Sequence, residues 1–123
     1  MHIQRETPEN HAIRSYTNTE ITVGHTVYTK STLISREAII SPWPITSIQA
    51  FNDTHLEALL KLEPEIILIG HEQPGIQIPI SVMQNLSKQR IGIECMSIGA
   101  ASRTFNLLLS EGRKVVIGIL FTT

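Results

Sequence analysis

The sequence predicts an α/β protein, a single three-layer domain with a mixed central sheet in which an N-terminal β-hairpin precedes alternating helices and strands. Three observations predict this class. The first half of the chain carries short alternating apolar stretches separated by turn residues. The second half carries three stretches with helical spacing, each followed by an apolar run typical of a strand. The length of 123 residues suits one domain, to which we assign residues 1–123.

The N-terminal half predicts β structure. In "EITVGHTVYTK", Ile21 and Val23 alternate with polar residues, and Gly24 can adopt the positive φ of a tight hairpin turn. The stretch "STLIS" predicts a further short strand. We expect the hairpin to extend the central sheet and so to make that sheet mixed.

Two helices are predicted in the middle of the chain. Thr54 and Glu57 match a capping box at the start of the first, which stops before Pro64. Pro79 suits the start of the second, which runs to about Gln89. The predicted buried face of this second helix holds Ile80, Met83 and Leu86.

The strand predicted at "IGIECM" contains Glu94, an ionisable residue within an apolar run. An unpaired carboxylate in a strand of a sheet that is covered on both faces costs several kcal/mol. We therefore expect this strand at the sheet edge, or a cationic partner for Glu94. The third helix is predicted from Ile98 to Ser110, with Gly112 as its C-terminal stop.

These elements predict a crevice at the ends of two strands. If "IGIECM" is the edge and "EIILIG" lies beside it, the final strand "KVVIGILF" crosses back to the far side of "EIILIG". Right-handed crossovers then place the two connections on opposite faces. The crevice falls between the loops after Gly70 and Met96, provided that the last strand is parallel.

Composition limits the partners and the compartment. Ten basic and eleven acidic residues give a formal charge of -1, so nucleic acid is not an expected partner. The single cysteine excludes an internal disulfide and fits a reducing compartment. The N-terminus shows no secretory signal, and the longest apolar run is far shorter than the roughly 20 residues that span a bilayer. We expect a cytoplasmic protein without membrane insertion.

Six residues are candidates for a ligand site at this crevice, and each has two interpretations. They are His71, Glu72, Ser97, Gly99, Arg103 and Asn106. In one interpretation the start of the third helix binds a carboxylate or another small anion, with Arg103 as a clamp. In the other, Ser97 caps the helix and Gly99 lets it pack closely.

The remaining candidates have structural alternatives as well. His71 and Glu72 are an acid/base pair or part of a solvated loop, because adjacent residues on a loop tend to point apart. Asn106 reaches the crevice or binds backbone as a buried amide. Trp43 is a partner anchor if exposed and a lid on the core if buried, and we assign it to an interface.

No catalytic residue, metal ligand or cofactor is assigned. Cys95 is a nucleophile or a buried inert thiol, and its alternation with Ile91 and Ile93 favours the buried thiol. Ser102 lies outside any G-x-S-x-G pattern. The histidines lack metal-ligand spacing, and no glycine-rich phosphate loop is present in the sequence.

Three stretches resemble the Mth-type domain-of-unknown-function family: "PWPITSIQAF", "LEPEIILIGHEQP" and "IGIECMSIGAASRTFNLLLSEGRKVVIGIL". The likeness runs from about Ile21 to Leu120. Its most specific residues are Glu94, Met96, Ala100, Thr104, Phe105, Asn106, Glu111, Gly112 and Arg113. The family includes mitochondrial respiratory complex I assembly factors, so the resemblance implies a three-layer α/β domain that binds other proteins, with no settled enzymatic activity.

One departure concerns the loop after the first apolar strand of the second half. The family commonly has G-T-G there, whereas this chain has Gly70, His71 and Glu72, which makes a pocket more polar and titratable. We predict a non-catalytic protein-binding or assembly-type module. The alternative is a small-molecule binding protein or enzyme that uses the crevice near Gly70 and Ser97. A homo-oligomer formed through the edge strand at Ile91 is compatible with both.

Overall fold

The central layer of the structure is a five-stranded mixed sheet with the order β5-β4-β8-β6-β7. The computed structural model describes residues 11–73 and 75–122. The strands of this sheet are β4 (Thr32–Ile34), β5 (Ile39–Ile40), β6 (Ile66–Gly70), β7 (Gly92–Met96) and β8 (Val115–Ile119). A second, antiparallel sheet contains β1 (Ile13–Tyr16), β2 (Ile21–Val23) and β3 (Thr26–Tyr28).

Helices cover both faces of the central sheet, which confirms the predicted three-layer α/β class. They are α1 (Asp53–Leu60), α2 (Ile80–Lys88) and α3 (Ile98–Ser110). Ile67 and Ile69 of β6 share one core cluster with α1 and α2. Leu68, between them in the chain, belongs to the other cluster, with α3 and the three-stranded sheet.

The parallel part of the sheet has the predicted order. β6 pairs in parallel with β7 on one side and with β8 on the other, and in the described residues β7 forms the end of the sheet. Glu94 is accordingly exposed on the edge strand, as expected. Because α2 and α3 lie on opposite faces, the loops after β6 and β7 diverge at their carboxyl ends.

The N-terminal hairpin forms where predicted but does not extend the central sheet. Gly24 has a φ of 61° in the turn between β2 and β3. Ile13, Ile21 and Val23 are buried instead in the core cluster of α3, so the three-stranded sheet packs on that helix. The sheet is mixed because β4 pairs antiparallel with β8 and with β5.

Two details of the first two helices differ from the prediction. Asn52, not Thr54, caps α1: its side chain accepts the N–H groups of Thr54 and His55, and His55 Nδ1 accepts the Asn52 N–H. In α2, Ile80 and Met83 are 72% and 45% exposed. The buried residues of α2 are Val82 and Leu86, because only a narrow stripe of this helix contacts the sheet.

The third helix has the predicted bounds, Ile98–Ser110, and Gly112 follows it with a φ of 77°. Trp43, assigned from the sequence to an interface, is 2% exposed. Its indole ring packs on Gly118 of β8, where an added Cβ would lie 2.7 Å from Cζ3. In the structure Trp43 is therefore a buried core residue and not an exposed anchor.

Candidate functional site

A groove opens at the carboxyl ends of β6 and β7, where the crevice was predicted. We call it the β7 groove. It lies between β7, the first part of α2 and the segment that joins β6 to α2, and its volume is about 660 Å³. The described residues that line it are His71, Glu72, Gln73, Gly75, Ile76, Gln77, Ile78, Met83, Ile93, Glu94, Cys95, Met96 and Ser97.

Three of the six predicted ligand residues line this groove, and three do not. His71, Glu72 and Ser97 come together because the strands that precede them are neighbours. Gly99, Arg103 and Asn106 are not among the lining residues. They lie on α3, where each contacts β1.

The start of α3 binds a carboxylate of the chain itself. Glu72 Oε2 accepts the Ile98 N–H at 2.8 Å, and Ser97 Oγ accepts the Ala100 N–H at 3.2 Å. A negative charge is favoured at this end of a helix, and Glu72 already supplies it. The predicted external carboxylate or anion would meet that charge and find these donors occupied.

Arg103 and Gly99 form a contact with Tyr16 of β1. The Arg103 guanidinium donates to Tyr16 Oη and lies 6.0 Å from the centroid of the tyrosine ring. Gly99 gives the ring space, since an added Cβ would lie 2.8 Å from Tyr16 Cε1. Neither residue lines the groove, and both attach the N-terminal sheet to α3.

Asn106 has the structural role that was its alternative interpretation. Its Nδ2 donates to the Ile13 carbonyl at 3.0 Å, and its Oδ1 accepts the Ile13 N–H at 2.8 Å. The amide thus completes the hydrogen bonding of one residue of β1 and does not line the groove. Sequence alone could not separate the two roles, because β1 is 93 residues away in the chain.

Other family-typical residues are structural as well. Thr104 Oγ1 donates to the Met96 sulfur at 3.7 Å, which links α3 to β7. Arg113 Nε donates to the exposed carboxylate of Glu65 at 2.8 Å. The hydrogen bond from Arg113 and that from the Lys114 backbone lower the pKa of Glu65. The motif that carries the resemblance therefore mainly connects elements of the fold.

His71 lies at the inner end of the groove and is 8% exposed. Its backbone N–H donates to the Met96 carbonyl at 3.0 Å, and its Nδ1 accepts the Gln73 N–H at 3.0 Å. The ring proton is consequently on Nε2. Burial lowers the pKa of His71, an effect that the Glu72 charge offsets only in part, so the imidazole is neutral at pH 7.

Cys95 is exposed in the groove, so the prediction of a buried thiol is wrong. Ile91 and Ile93 pack against the α1 and α2 core, whereas Cys95, further along the same face, reaches the opening. Partial desolvation by the groove walls and the nearby Glu94 charge raise the pKa of the Cys95 thiol to about 11. The thiol is protonated at neutral pH and is a poor nucleophile, which agrees with the predicted inert character.

The described lining of the groove has acidic and apolar residues but no lysine or arginine. Glu72 and Glu94 supply the charge, and Ile76, Ile78 and Met83 supply apolar surface. The segment from Gly75 to Ile78 was missed in the sequence, although its alternating isoleucines, "GIQIP", are the pattern of an extended segment with one apolar side.

Over residues 11–73 and 75–122, no group of three or more His, Cys, Asp or Glu residues is arranged to hold a metal ion. None of the helices found there has the length and apolar character needed to cross a bilayer.

Comparison with known proteins assigns the family. Residues 13–120 match the family model described as "Protein of unknown function (DUF498/DUF598)". The chain belongs to this family. The match covers the central sheet and all three helices, and with it the groove.

Curated relatives share part of this chain. A segment of 71 residues is 34% identical to the "13 kDa major membrane protein" of Francisella tularensis subsp. holarctica, covering 58% of each protein. Over 114 residues the chain is 27% identical to NADH dehydrogenase [ubiquinone] 1 alpha subcomplex assembly factor 3 of Rattus norvegicus, covering 90% of this chain and 60% of that protein. The chain therefore matches 58% and 60% of the lengths of these two relatives.

Solved structures have the same fold. An NMR structure of a Xanthomonas campestris protein has a TM-score of 0.82 at 28% identity, covering 98% of this chain and 92% of that one. A crystal structure of an outer membrane protein from Bartonella henselae has a TM-score of 0.78 at 26% identity, and the match covers 94% of this chain and 98% of that one. A Bordetella pertussis structure described as a Mth938-like domain has a TM-score of 0.79 at 22% identity, and the match covers 98% of this chain and 90% of that one. At this identity the likeness shows the fold alone. These matches confirm the Mth-type resemblance.

Proposed function

We propose that this domain is a non-catalytic protein-binding module with an assembly-type role, and that the β7 groove is its contact surface. The observation that carries the proposal is the meeting of two binding features in one place. The groove has exposed apolar surface at Met83, and one of its walls is the edge strand β7. Exposed apolar surface and unpaired strand edges both favour contact with another chain.

The relatives support the assembly-type part of the proposal. The rat protein that matches 90% of this chain is named an assembly factor, and a Drosophila melanogaster protein of the same name is 28% identical over 82 residues. We carry over the class of action, assembly through contact with other proteins, and not the particular complex. The free thiol of Cys95 supports our further proposal of a reducing, cytoplasmic compartment.

The chemistry of the groove supports a binding role over a catalytic one. The Cys95 thiol is protonated at neutral pH because its pKa is raised to about 11. The imidazole of His71 uses Nδ1 to accept a backbone N–H. Glu72 caps α3 through its Oε2. Cys95, His71 and Glu72 are thus each held in a structural role or in an unreactive form.

Site-specific photo-crosslinking in cells that express the chain natively tests this proposal. A photoreactive amino acid replaces Gln77, an exposed residue of the groove, or Gln89, an exposed residue just beyond the other end of α2. We expect one protein to crosslink from position 77 and not from position 89. Identical products from both positions, or no product from position 77, would refute the groove as the contact surface.

A second candidate function is the binding of a small molecule in the same groove. Its volume of about 660 Å³ lies within the usual range for ligand pockets, about 300–1,000 Å³. Glu72 and Glu94 favour a neutral or cationic ligand over the carboxylate or anion expected from the sequence. Thermal-shift measurements with matched panels of amines and carboxylates test it: stabilisation by amines alone supports this candidate, and no shift with either panel removes it.

A further inference from the structure

We infer that the segment bound in the β7 groove is an extended stretch of a partner protein that carries a lysine or arginine and pairs as a strand with the outer edge of β7. This inference rests on the proposed function and adds the chemistry of the partner. Three features of the described residues support it: the direction of the β7 backbone groups, the lining of the groove and its charge.

The backbone of β7 directs two residues outward. Gly92 N–H donates to the Glu65 carbonyl at 3.2 Å, and the Met96 carbonyl accepts the His71 N–H at 3.0 Å. Backbone groups alternate in direction along a strand, so Gly92, Glu94 and Met96 bond to β6. The N–H and C=O groups of Ile93 and Cys95 therefore face away from β6, and within the described residues no strand pairs with them.

The groove can receive side chains of an added strand. Residues 93–97 line it without interruption, so the strand edge and the groove form one surface. Ile93 and Cys95 lie on the face that carries α2, and Met83 and Ile78 border the same space. An extended segment paired with β7 would direct alternate side chains towards this apolar wall, which is the geometry of strand addition to a sheet edge.

The negative charge of the groove favours a basic residue in the bound segment. Glu94 is exposed on the strand to be paired, and Glu72 lies at the same end of the groove. No lysine or arginine is among the described lining residues. A basic side chain directly opposite Glu94 would form a favourable cross-strand pair, and an acidic one would be repelled.

The same charge disfavours a second copy of this chain as the occupant. In a symmetric antiparallel pair that hydrogen-bonds Ile93 of one copy with Cys95 of the other, residue 94 lies opposite residue 94. Two Glu94 carboxylates would then face each other at a non-hydrogen-bonded position, where side chains are closest. This register uses the outward backbone groups of both Ile93 and Cys95, so the repulsion disfavours the most complete pairing of β7 with a second copy.

A selection with a phage-displayed library of random seven-residue peptides tests the inference. We expect enriched peptides to carry lysine or arginine between alternating apolar residues. With Glu94→Lys as the target, acidic residues should replace the basic ones. Enrichment without a basic residue, or the same peptides from both targets, would overturn the inference about charge even if the crosslink from position 77 is obtained.

Two variants of Cys95 test strand pairing with the best selected peptide. Cys95→Pro removes an outward N–H but no bond to β6, and proline is tolerated at such positions of edge strands. Cys95→Ala keeps the N–H and is the matched control. Both variants lack the thiol, so they differ at the N–H, and we expect the proline variant to bind about tenfold or more weaker than the alanine variant, the factor for 1.4 kcal/mol.

The outcomes separate this inference from the proposed function. Equal peptide binding by the proline and alanine variants overturns strand pairing. A concentration-dependent dimer that Glu94→Lys alters would overturn the heterologous partner in favour of a second copy. A library without any enriched peptide, together with a specific crosslink from position 77, overturns the inference and leaves the proposed function standing. Absence of both results overturns both.

Discussion

Among the glycines in the described residues, Gly118 is the one at which an added Cβ would make the shortest contact. An alanine Cβ there would lie 2.7 Å from Trp43 Cζ3, 3.1 Å from Cη2 and 3.2 Å from Leu33 Cδ2. Ordinary contacts between carbon atoms are about 3.5–4.0 Å, so the shortest one is about 0.8–1.3 Å too close. The indole ring has little room to move, because Phe51 and His55 pack edge-on against it with centroids 5.8 and 6.2 Å away.

The expected cost of Gly118→Ala follows from this confinement. Overpacking a well-packed core typically costs about 1–3 kcal/mol, and we expect the upper half of that range, about 2–3 kcal/mol of unfolding free energy. Urea unfolding followed by tryptophan fluorescence is a direct assay, because Trp43 is the only tryptophan of the chain. Gly92→Ala is the matched control, since a Cβ at Gly92 meets nothing within 4 Å.

A double-mutant cycle assigns the cost to the ring, with urea unfolding followed by far-UV circular dichroism because Trp43→Phe removes the only tryptophan. Trp43→Phe provides space, so the combined variant should be at least about 1 kcal/mol more stable than the sum of the two single changes predicts. If Gly118→Ala and Gly92→Ala agree within about 0.5 kcal/mol, or if the cycle shows no coupling, the packing of Trp43 against β8 is refuted.

Three further predictions concern α3 and the groove. Asn106→Ala leaves the N–H and C=O of Ile13 without their partners and should lower the free energy of unfolding in urea by about 2–4 kcal/mol. The control Leu107→Ala, at an exposed site, should lower it by less than about 0.5 kcal/mol. Equal costs would contradict the role of the Asn106 amide. Because burial lowers the pKa of His71, this histidine binds a proton more readily in the unfolded chain than in the folded one. The stability of the fold should therefore decrease as the pH drops below about 6.5 towards the folded-state pKa. In thermal melts from pH 7.5 to 5, His71→Gln should reduce the dependence of stability on pH. At pH 7.5 iodoacetamide should modify Cys95 roughly 100-fold more slowly in the folded than in the urea-unfolded protein. Glu94→Gln should raise the modification rate of the folded protein. Equal rates in the folded and unfolded protein would contradict the raised pKa of Cys95.

Local patterns were sufficient to predict the parallel half of the fold. Alternation and helical spacing fix α3 at Ile98–Ser110, and the charge of Glu94 within an apolar strand indicates the sheet edge. That edge position gives the order β8-β6-β7, and the chirality of crossovers then places the two connections on opposite faces and locates the groove. These inferences succeed because each depends on neighbouring residues or on a general rule of connection.

The errors lie where distant segments decide. The hairpin sequence shows which of its residues are apolar but not whether they cover α3 or join a sheet, and the structure has them on α3. Arg103 and Asn106 have side chains suited to a ligand, yet β1 supplies partners for both. In the same way, the start of α3 has the features of an anion site until Glu72, 26 residues earlier, fills it.

The exposure of Cys95 and the burial of Trp43 both depend on residues distant in the chain. Alternation places Cys95 on the face of Ile91 and Ile93 but does not reveal that the groove opens beyond them. Trp43 is flanked by prolines, which predicts irregular backbone and leaves its burial open. The absence of a side chain at Gly118 accommodates its ring, and these two residues are 75 positions apart.

Amide hydrogen exchange tests most directly the claim that the outer edge of β7 is the contact surface. The measurement compares the isolated domain with the domain bound to the protein that crosslinks from position 77. We expect the outward N–H groups of Ile93 and Cys95 to exchange more slowly in the complex, while those of Glu94 and Met96, already bonded to β6, change little. Unchanged exchange at Ile93 and Cys95, with new protection on the α3 and β1 side around Tyr16 and Arg103, would contradict it.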